Sequence, residues 1–396
     1  MHNLLSGPAI IIDDKIDSGE QDDINNLIIE IEDKDIPCAK FTELPQEGIA
    51  RHLSGVSFLI LDWKLQEVPE GVAIPDAIYD ENIRFLKKVL DDAFIPIFIF
   101  TSESIESVKA KLIANDLYHT NGQNLIFIEN KSNLLGNNLF DKINTWIKDT
   151  PSVYVLKEWE QEYNKSKTGL FIDFYNINHS WPRILWSTFE DDNVDPSYGL
   201  GEMITKNIHT RMSPFELEAE LLNSKHPPEK KQLRMVLSGE KFIEDKNNRL
   251  KSNSIASGDV FKFKKEGKTR YSYFLNIRPD CDCISRSCPI DEIDVYLLEL
   301  DRLSDNKEKN AFMEKYGNFE ERDNNTFIFN MYENRSFYVR FKDLTIKTWG
   351  ELRDHRIGRL LPPYITRVQQ RYSLYLQRQG LSRTPKEAVV DEDETA

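Results

Sequence analysis

Five polar residues follow or end apolar runs in the first third of the chain, and their types suit phosphoryl transfer. Asp62, for example, follows the apolar run at residues 56–61. In a parallel α/β sheet, side chains at the carboxyl ends of neighbouring strands converge on one crevice, so residues far apart in sequence can meet in space. We therefore predict one site that is formed by Asp13, Asp14, Asp62, Thr101 and Lys131.

A carboxylate can attack a phosphorus centre only when a cation neutralises the charge of both partners, because carboxylate and phosphate repel each other. Mg²⁺ prefers a few carboxylates together with waters and phosphate oxygens, and Asp13, Asp14 and Asp62 would supply the carboxylates. Lys131 and Thr101 carry a cation and a hydroxyl that could hold the other phosphoryl oxygens. The expected product is an aspartyl-phosphate.

Short apolar runs alternate with amphipathic stretches over residues 8–148, and each run is short enough to be a buried strand. In the amphipathic stretches, apolar residues recur at helical spacing, as in Ile24, Leu27 and Ile28. This alternation predicts an α/β domain with a parallel sheet that is covered on both faces. The predicted strands are 8–13, 37–42, 56–62, 95–101 and 125–129, and the predicted helices are 21–34, 81–93, 103–115 and 137–148, with an extended loop over 65–80.

This pattern resembles the receiver domain of two-component response regulators over about residues 8–148. The resemblance depends on the sequences IIIDD at 10–14, LILD at 59–62, FIFTS at 98–102 and IFIENK at 126–131. It implies a flavodoxin-like fold, in which a five-stranded parallel sheet is doubly wound. It also implies that a histidine kinase or a phosphotransfer protein supplies the phosphoryl group.

The same resemblance implies a role for each of the five residues. Asp62 would be the phosphoacceptor and would share Mg²⁺ with Asp13 and Asp14. Thr101 would move toward the phosphoryl group after transfer. Lys131 would pair with the phosphoryl group as the fixed cation of the site.

The chain departs from the usual receiver pattern at several points. Ser132 follows Lys131 where receivers usually have proline, and Ile128 stands where they often carry a switch aromatic. The intervals from Asp62 to Thr101 and from Thr101 to Lys131 are also longer than usual. Two interpretations stay open: an active receiver, which the five residue types favour, and a degenerate receiver whose acidic residues only cap strands.

A chain of 396 residues with 40% hydrophobic content is too long for one ordinary core, which predicts two or three domains. The net charge of -15 argues against nonspecific binding of nucleic acid or an anionic membrane by the chain as a whole, although a local basic patch could do either. The sequence shows no apolar run of about 18 residues and no secretory leader pattern. We therefore expect a cytoplasmic protein with no membrane partner.

The alternation of strands and helices stops after the fifth strand, and an aromatic, mainly helical region follows. Beyond it, residues 258–301 and 325–346 show strand-like alternation, which predicts a small antiparallel sheet or barrel. Helices are expected near 349–360 and 364–379, and the acidic tail at 389–396 is expected to be disordered. The predicted domains are a receiver domain at 1–150, a helical connecting region at 151–230 and an α+β output domain at 231–396.

Three of the four cysteines cluster as Cys281, Cys283 and Cys288. So few cysteines in a long chain provide no disulfide framework, and the cluster indicates a metal or a tight turn. Three thiolates could bind Zn²⁺, which usually takes four ligands, and a histidine could supply the fourth. Buried structural cysteines are the alternative, and nothing in the sequence selects among the candidate histidines, which are His209, His226 and His355.

Residues 339–386 hold eleven Lys or Arg against three acidic residues, which reverses the overall charge locally. On a helix, the 100° step places Arg367, Arg371 and Arg378 in one stripe beside an apolar face. This stripe could contact nucleic acid or an acidic partner, or it could be the solvated face of a packed helix. Because the predicted receiver is acidic, we favour an intramolecular or protein contact. No helix-turn-helix and no strand of RNA-reading aromatics supports nucleic-acid binding.

The function that we predict is a signalling switch rather than an enzyme. Phosphorylation at Asp62 would bias the first domain between two states, and the distal region would change its contact with an unidentified protein. The alternatives are a transcription regulator or nucleic-acid binder that uses the basic segment, and a receiver-controlled enzyme of unknown reaction. Receivers with unusual distal regions resemble those of bacterial stress and phage-defence operons, which implies a role of that kind.

Overall fold

The computed structural model consists of two compact units. The first comprises Met1–His179 and Ile204–Lys225, and the second comprises Ser180–Met203 and His226–Ala396. No helix in the described part of the chain is long and apolar enough to cross a bilayer. The described residues are 5, 7–16, 23–53, 55–65, 76–120, 124–134, 139–222, 228–246, 249–251, 254–286, 288–308, 319–321, 325–378 and 388.

Strands and helices alternate along the first part of the chain, as the periodicity of apolar residues predicts. Each of the five predicted strands and four predicted helices has a counterpart, with ends that differ by a few residues, so the α/β prediction is confirmed. The connection from the second strand to the third carries only a short 3₁₀ helix, Glu47–His52. The elements are β1 (Ala9–Ile12), α1 (Asp23–Glu32), β2 (Cys38–Phe41), β3 (Phe58–Asp62), α2 (Asp76–Asp92), β4 (Ile97–Thr101), α3 (Ile105–Ala114), β5 (Ile126–Asn130) and α4 (Leu139–Lys148).

The five strands form one all-parallel sheet with the order β2-β1-β3-β4-β5, and helices cover both of its faces. Successive side chains of a strand point to opposite faces. On one face, Ile11, Ile60 and Phe98 pack with α1 and α4. On the other face, Leu61 and Ile99 pack with α2 and α3. Because both faces of the three inner strands β1, β3 and β4 are buried, these strands are continuous apolar runs rather than alternating ones.

The aromatic stretch after the sheet is helical, as predicted. The first of its helices is the longest, and it begins with Pro151 in the first turn, where a missing backbone N–H costs nothing. Val153 and Tyr154 of that helix are buried in the core on the α1 side of the sheet, and the Tyr154 hydroxyl accepts the Glu218 N–H at 2.9 Å. The helices are α5 (Pro151–Ile177), α6 (Trp181–Asp191), α7 (Pro196–Met212) and α8 (Ala219–Leu222).

The second unit contains an antiparallel sheet, as predicted for its two alternating regions. Short helices flank this sheet at both ends of the unit's main segment. The elements are α9 (Lys230–Gly239), β6 (Phe242–Glu244), β7 (Asp259–Lys264), β8 (Tyr271–Asn276), β9 (Asp294–Arg302), β10 (Phe319–Glu321), β11 (Asn325–Tyr332), β12 (Arg335–Thr348), α10 (Trp349–Leu352), β13 (Arg356–Leu360) and α11 (Tyr364–Leu376).

The eight strands follow the order β10-β11-β12-β9-β8-β7-β13-β6, and the sheet curls until it is nearly closed. Phe242 of the edge strand β6 meets Tyr332 at the end of β11, with 5.6 Å between the ring centroids. The concave face encloses apolar side chains such as Val260, Leu275 and Leu298. Curling of this kind leaves short exposed edges, which limits unwanted pairing with other chains.

The helix predicted over 349–360 is wrong for its second half. A capping box between Thr348 and Glu351 starts the short helix α10. The chain then makes a 3₁₀ turn and enters β13, which pairs with β6 and β7. Gly358 permits that pairing, because a Cβ there would lie 2.3 Å from the Phe242 ring. Long-range strand pairing therefore overrides the local preference.

The extended loop predicted over 65–80 is wrong from Asp76 onward, where α2 begins. Tyr79, Ile83 and Leu86 recur at helical spacing and are all buried. The prolines and glycine that suggested the loop lie at 66–75, outside the described residues, as does the acidic tail at 389–396.

Replacing Phe98 with alanine should test the core behind the strand ends. This ring contacts Phe58, Phe100, Phe127 and Trp146, with centroid distances between 5.4 and 6.4 Å. Deleting a fully buried phenyl ring should lower the free energy of unfolding by about 3–5 kcal/mol. Urea-dependent hydrogen exchange at the amides of β1, β3 and β4 reports this unit separately from the second one.

Phe94→Ala is the matched control for the Phe98 experiment. Phe94 precedes the same strand but is 48% exposed. Its loss should change the free energy of unfolding by less than about 1 kcal/mol. Equal effects at the two positions would contradict the packing described for Phe98.

Candidate functional site

Four strand ends bring predicted site residues to one edge of the parallel sheet. Asp62 is the last residue of β3, and Thr101 is the last residue of β4. Asp13 directly follows β1, and Lys131 directly follows β5. Because β3 lies between β1 and β4, Asp62 stands between Asp13 and Thr101 along this edge.

Three carboxylates meet at this edge. Asp13, Asp14 and Asp62 each offer one oxygen, and these oxygens lie within 4.8 Å of one another. Asp13 and Asp62 are buried, whereas Asp14 is partly exposed. Carboxylate oxygens are the protein ligands that Mg²⁺ prefers, and this ion usually keeps several waters or phosphate oxygens as well. The three residues therefore fit a magnesium site that is open toward solvent at Asp14.

Lys131 bridges the two buried carboxylates. Its Nζ donates hydrogen bonds to Oδ2 of Asp13 at 2.8 Å and to Oδ2 of Asp62 at 2.9 Å. The Oδ1 atoms accept backbone N–H groups, from Lys15 at 3.0 Å for Asp13 and from Lys64 at 3.2 Å for Asp62. Each buried carboxylate thus has one oxygen held by the backbone and the other by the Lys131 cation, which orients both side chains.

Burial and neighbouring charges together shift the pKa values of Asp62 and Lys131. Burial raises the pKa of Asp62 to about 6; the Lys131 ammonium opposes this rise and the Asp13 carboxylate adds to it. Burial alone would lower the pKa of Lys131, but the two carboxylates outweigh burial and raise it. The single positive charge of Lys131 is therefore shared by two buried carboxyl groups, and an additional cation would stabilise their ionised forms.

Thr101 ends the neighbouring strand β4 with a buried hydroxyl. Its Oγ1 accepts the N–H of Glu103 at 2.9 Å. A hydroxyl that accepts one hydrogen bond still has its own proton to donate. Thr101 can therefore donate to an oxygen that arrives at the edge between β3 and β4.

A set of residues that the sequence analysis missed joins Asp62 to the turn after Thr101. Trp63, which follows Asp62, is buried and stacks on Tyr79 of α2, with 5.7 Å between the ring centroids. The Tyr79 hydroxyl donates to the Glu103 carboxylate, and the Lys111 Nζ lies 3.4 Å from the centroid of the Tyr79 ring. Two strand ends are thus connected through one side chain of α2.

Asn82 adds a second contact from α2 to Trp63, the residue after Asp62. Its buried side-chain amide donates to the Trp63 carbonyl at 2.8 Å. The spacing of Tyr79 and Asn82 puts both on one face of α2. A sequence signal existed for this face, because Tyr79, Ile83 and Leu86 have helical spacing, but the prolines before it favoured a loop.

The three clustered cysteines are not brought together. Cys283 is buried among Phe261 and Phe274, and its Sγ accepts from the Asn276 side chain at 3.7 Å. Burial raises the pKa of the Cys283 thiol to about 12, which disfavours the thiolate that a metal would need. Cys281 and Cys288 are exposed. Among the described residues, these thiols form no group with metal-ligand spacing.

The predicted arginine stripe lies on α11. The opposite side of this helix packs in the core of the second unit through Ile365 and Val368. Arg367 and Arg378 are exposed and Arg371 is half-buried. This arrangement agrees with a helix that packs by its apolar side and leaves its basic side at the surface.

Comparison with known proteins adds no family to this geometry. No protein-family model matches the chain, and no curated protein is significantly similar to it. The proposals that follow therefore depend on the fold and on the site itself.

Asp62 should make the stability of the metal-free protein depend on pH. Its pKa is about 6 in the folded state against an ordinary value of 3.8, so the folded state holds this proton more tightly than the unfolded state. The contribution of Asp62 to the free energy of unfolding is therefore fully present below about pH 4 and is lost as the pH rises through 6. The total loss should be about 3 kcal/mol.

Asp62→Asn should remove that pH dependence. Urea unfolding in EDTA at several pH values between 4 and 7, compared for wild type and variant, isolates the contribution of this carboxyl. A wild-type curve that rises with pH relative to the variant would show that Lys131 lowers the Asp62 pKa by more than burial raises it.

The contact between Tyr79 and Glu103 should couple energetically. Tyr79→Phe removes the phenolic donor but keeps the stacking on Trp63, and Glu103→Gln removes the charge of the acceptor. A double-mutant cycle should give a coupling of about 1–2 kcal/mol, because hydrogen bonds to charged groups are among the stronger ones. Glu106→Gln, on an exposed carboxylate of α3, should show no coupling with Tyr79→Phe; similar coupling in both cycles would contradict a specific contact.

Proposed function

We propose that the first unit is a phosphoryl-accepting switch of the receiver type and that Asp62 is the phosphoacceptor. The observation that carries this proposal is the group of Asp13, Asp14 and Asp62, whose oxygens lie within 4.8 Å of one another, with Lys131 bridging Asp13 and Asp62. Such a group concentrates negative charge at a sheet edge where one lysine cannot neutralise it. A site of this kind favours a divalent cation and the oxygens of a phosphoryl group.

The strand order supports this assignment. The order 2-1-3-4-5 is the flavodoxin-like arrangement, in which ligands bind at the carboxyl ends of the strands where the order reverses. That reversal lies between β1 and β3, the strands that carry Asp13 and Asp62. The central position of β3 favours Asp62 as the acceptor, because groups from both neighbouring strands can then contact the transferred phosphoryl group.

The reaction would be an in-line displacement at phosphorus. An Oδ atom of Asp62 forms the new P–O bond while the bond from phosphorus to the donor breaks, and the donor leaves with the electron pair. Mg²⁺ held by the three carboxylates would neutralise the repulsion between carboxylate and phosphate. Lys131 is placed to exchange its bond to Asp62 for a bond to a phosphoryl oxygen, and Thr101 can donate its proton to another.

The phosphoryl donor that this chemistry suits is a phosphohistidine on a histidine kinase or on a phosphotransfer protein. The N–P bond of phosphohistidine is easily broken, and Asp62 would need no further base because its carboxylate is the nucleophile. We propose that loss of the hydrogen bond from Lys131 to Asp62 destabilises the unphosphorylated conformation and that new contacts with the phosphoryl group stabilise a second conformation. Trp63, Tyr79 and Glu103 connect the site to α2, so α2 is the element whose position would change.

Incubation with acetyl phosphate and Mg²⁺ tests the phosphoacceptor directly. Intact mass spectrometry should show one added phosphoryl group on the wild type, and hydroxylamine should remove it because an acyl phosphate is readily cleaved. EDTA should prevent its formation. Asp62→Asn should show no adduct, whereas Asp80→Asn, which changes an exposed carboxylate of α2, should behave like the wild type.

The opposite outcome has a clear meaning. If folded wild type acquires no adduct from acetyl phosphate or a phosphorylated histidine protein, the acidic group is structural and the receiver is degenerate. An adduct that persists in Asp62→Asn would place the acceptor at another residue.

A further inference from the structure

The hairpin formed by β7 and β8 is strongly basic, although the chain as a whole is acidic. Residues 262–271 hold five Lys or Arg and a single Glu, whereas the whole chain has a net charge of -15. Lys264, Lys268 and Arg270 are exposed at its tip, where Gly267 adopts a φ of 69° and reverses the chain. The tip of the hairpin therefore presents concentrated positive charge.

The charge at the tip is not neutralised by neighbouring acids. Two other lysines of the hairpin are paired, Lys262 with Glu333 at 3.5 Å and Lys265 with Glu299 at 2.8 Å. None of the ion pairs between described residues uses Lys264, Lys268 or Arg270. These three cations are available to an anionic partner.

Aromatic rings accompany the cations. Tyr271 is 57% exposed and pairs across the hairpin with Lys264, whose Nζ lies 5.2 Å from its ring centroid. On the opposite face of the hairpin, Phe263 and Phe274 stack with 4.3 Å between centroids and 12° between ring planes. Each face of the hairpin thus carries an aromatic surface close to its cations.

A groove of about 890 Å³ runs along the Phe263 face of the hairpin. The stacked phenylalanines, Leu352 and the His355 ring line its apolar part, and the His355 ring lies 5.9 Å from that of Phe263. Lys347 lines the rim, with its Nζ 5.9 Å from the Phe263 centroid. The volume of the groove exceeds that of a nucleobase, and Lys264, Lys265 and Lys347 are among the residues that line it.

Two acids also line this groove, and their charges are partly compensated. Glu351 accepts from the Lys347 Nζ at 2.9 Å and from the Thr348 N–H at 2.9 Å, as part of the capping box of α10. Glu266 lies in the hairpin turn among the exposed cations. The local field at the tip is therefore positive despite both acids.

We propose that the basic hairpin and its groove bind single-stranded nucleic acid. Phosphates would contact Lys264, Lys268 and Arg270, and unpaired bases would stack on Tyr271 and enter the groove beside Phe263. A positively charged surface with aromatic faces is the arrangement that binds single strands without reading their sequence. The bases of a duplex are stacked on one another, and an acidic peptide has no bases. Neither ligand could therefore stack on Tyr271 or Phe263.

This site is separate from the proposed phosphoacceptor and does not depend on it. It also differs from the arginine stripe on α11, because it comprises an antiparallel hairpin and a groove rather than a helix face. Binding here would give the second unit an activity of its own, with a polyanion as its ligand.

Fluorescence polarisation with the full chain and a fluorescein-labelled 12-nucleotide oligo(dT) tests the proposal. Removing three phosphate contacts with Lys264→Ser, Lys268→Ser and Arg270→Ser together should reduce the slope of log K against log salt by about 2. Tyr271→Ala should weaken binding about tenfold, because stacking on one aromatic ring supplies that much. Oligo(U) of the same length distinguishes RNA from DNA as the preferred strand.

A charge-matched control separates the hairpin from general charge effects. Lys230→Ser, Lys231→Ser and Lys307→Ser remove three exposed lysines elsewhere in the same unit and should leave the salt slope unchanged. Circular dichroism confirms that each variant is folded. Tyr271→Phe should bind like the wild type, since it keeps the stacking surface.

Three results would overturn the proposal. The first is no binding of oligo(dT) or oligo(U) at low salt by folded protein. The second is binding that the hairpin variant and the control variant weaken equally, which would place the site elsewhere, for example on α11. The third is tighter binding of a 12-base-pair duplex or of poly-glutamate than of the single strands, because either result would remove the role of the aromatic rings.

Discussion

The contact on which the site depends is the Lys131 ammonium held between the carboxylates of Asp13 and Asp62. Two buried acids at one sheet edge would repel each other strongly without it, and each has its second oxygen tied to the backbone. The contact requires that β1, β3 and β5 all end at the same edge, since one residue of each strand end takes part. The parallel sheet, with its two helical layers, thus positions the three side chains that form this contact.

The same contact is the basis of the proposed switch. One lysine shared by two carboxylates leaves an excess of negative charge, and burial makes that excess costly, as the raised pKa of Asp62 records. A divalent cation or a transferred phosphoryl group would change which atoms Lys131 contacts. Trp63 follows Asp62 directly and stacks on Tyr79, whose hydroxyl donates to Glu103. A rearrangement at Asp62 could therefore extend to α2 and to the turn after β4.

The second unit has a different physical basis. Its sheet is curled and antiparallel, its concave core is apolar, and its charge is arranged on the outside. Buried Asp259 is paired with Arg359 at 2.7 Å, close to the almost buried Arg356, so the charge of this carboxylate is compensated. Burial still raises the pKa of Asp259, with both arginines opposing the rise. Three exposed cations without an ion pair among the described residues, Lys264, Lys268 and Arg270, lie at the tip of the β7 and β8 hairpin.

The sequence by itself determined the strands of the parallel sheet, because a central strand that is buried on both faces must be a continuous apolar run and its polar end residue is then visible. It also indicated that the polar ends of β1, β3, β4 and β5 would share one edge, since parallel strands place their ends together. Only the tertiary structure decided that β13 is a strand, because its partners β6 and β7 are distant in sequence. The need for glycine at 358, where a Cβ would collide with the Phe242 ring, is likewise visible only in the structure. The tertiary structure also separated the three cysteines and placed Tyr79 beside Glu103, since sequence spacing carries no information about contacts between side chains on different elements.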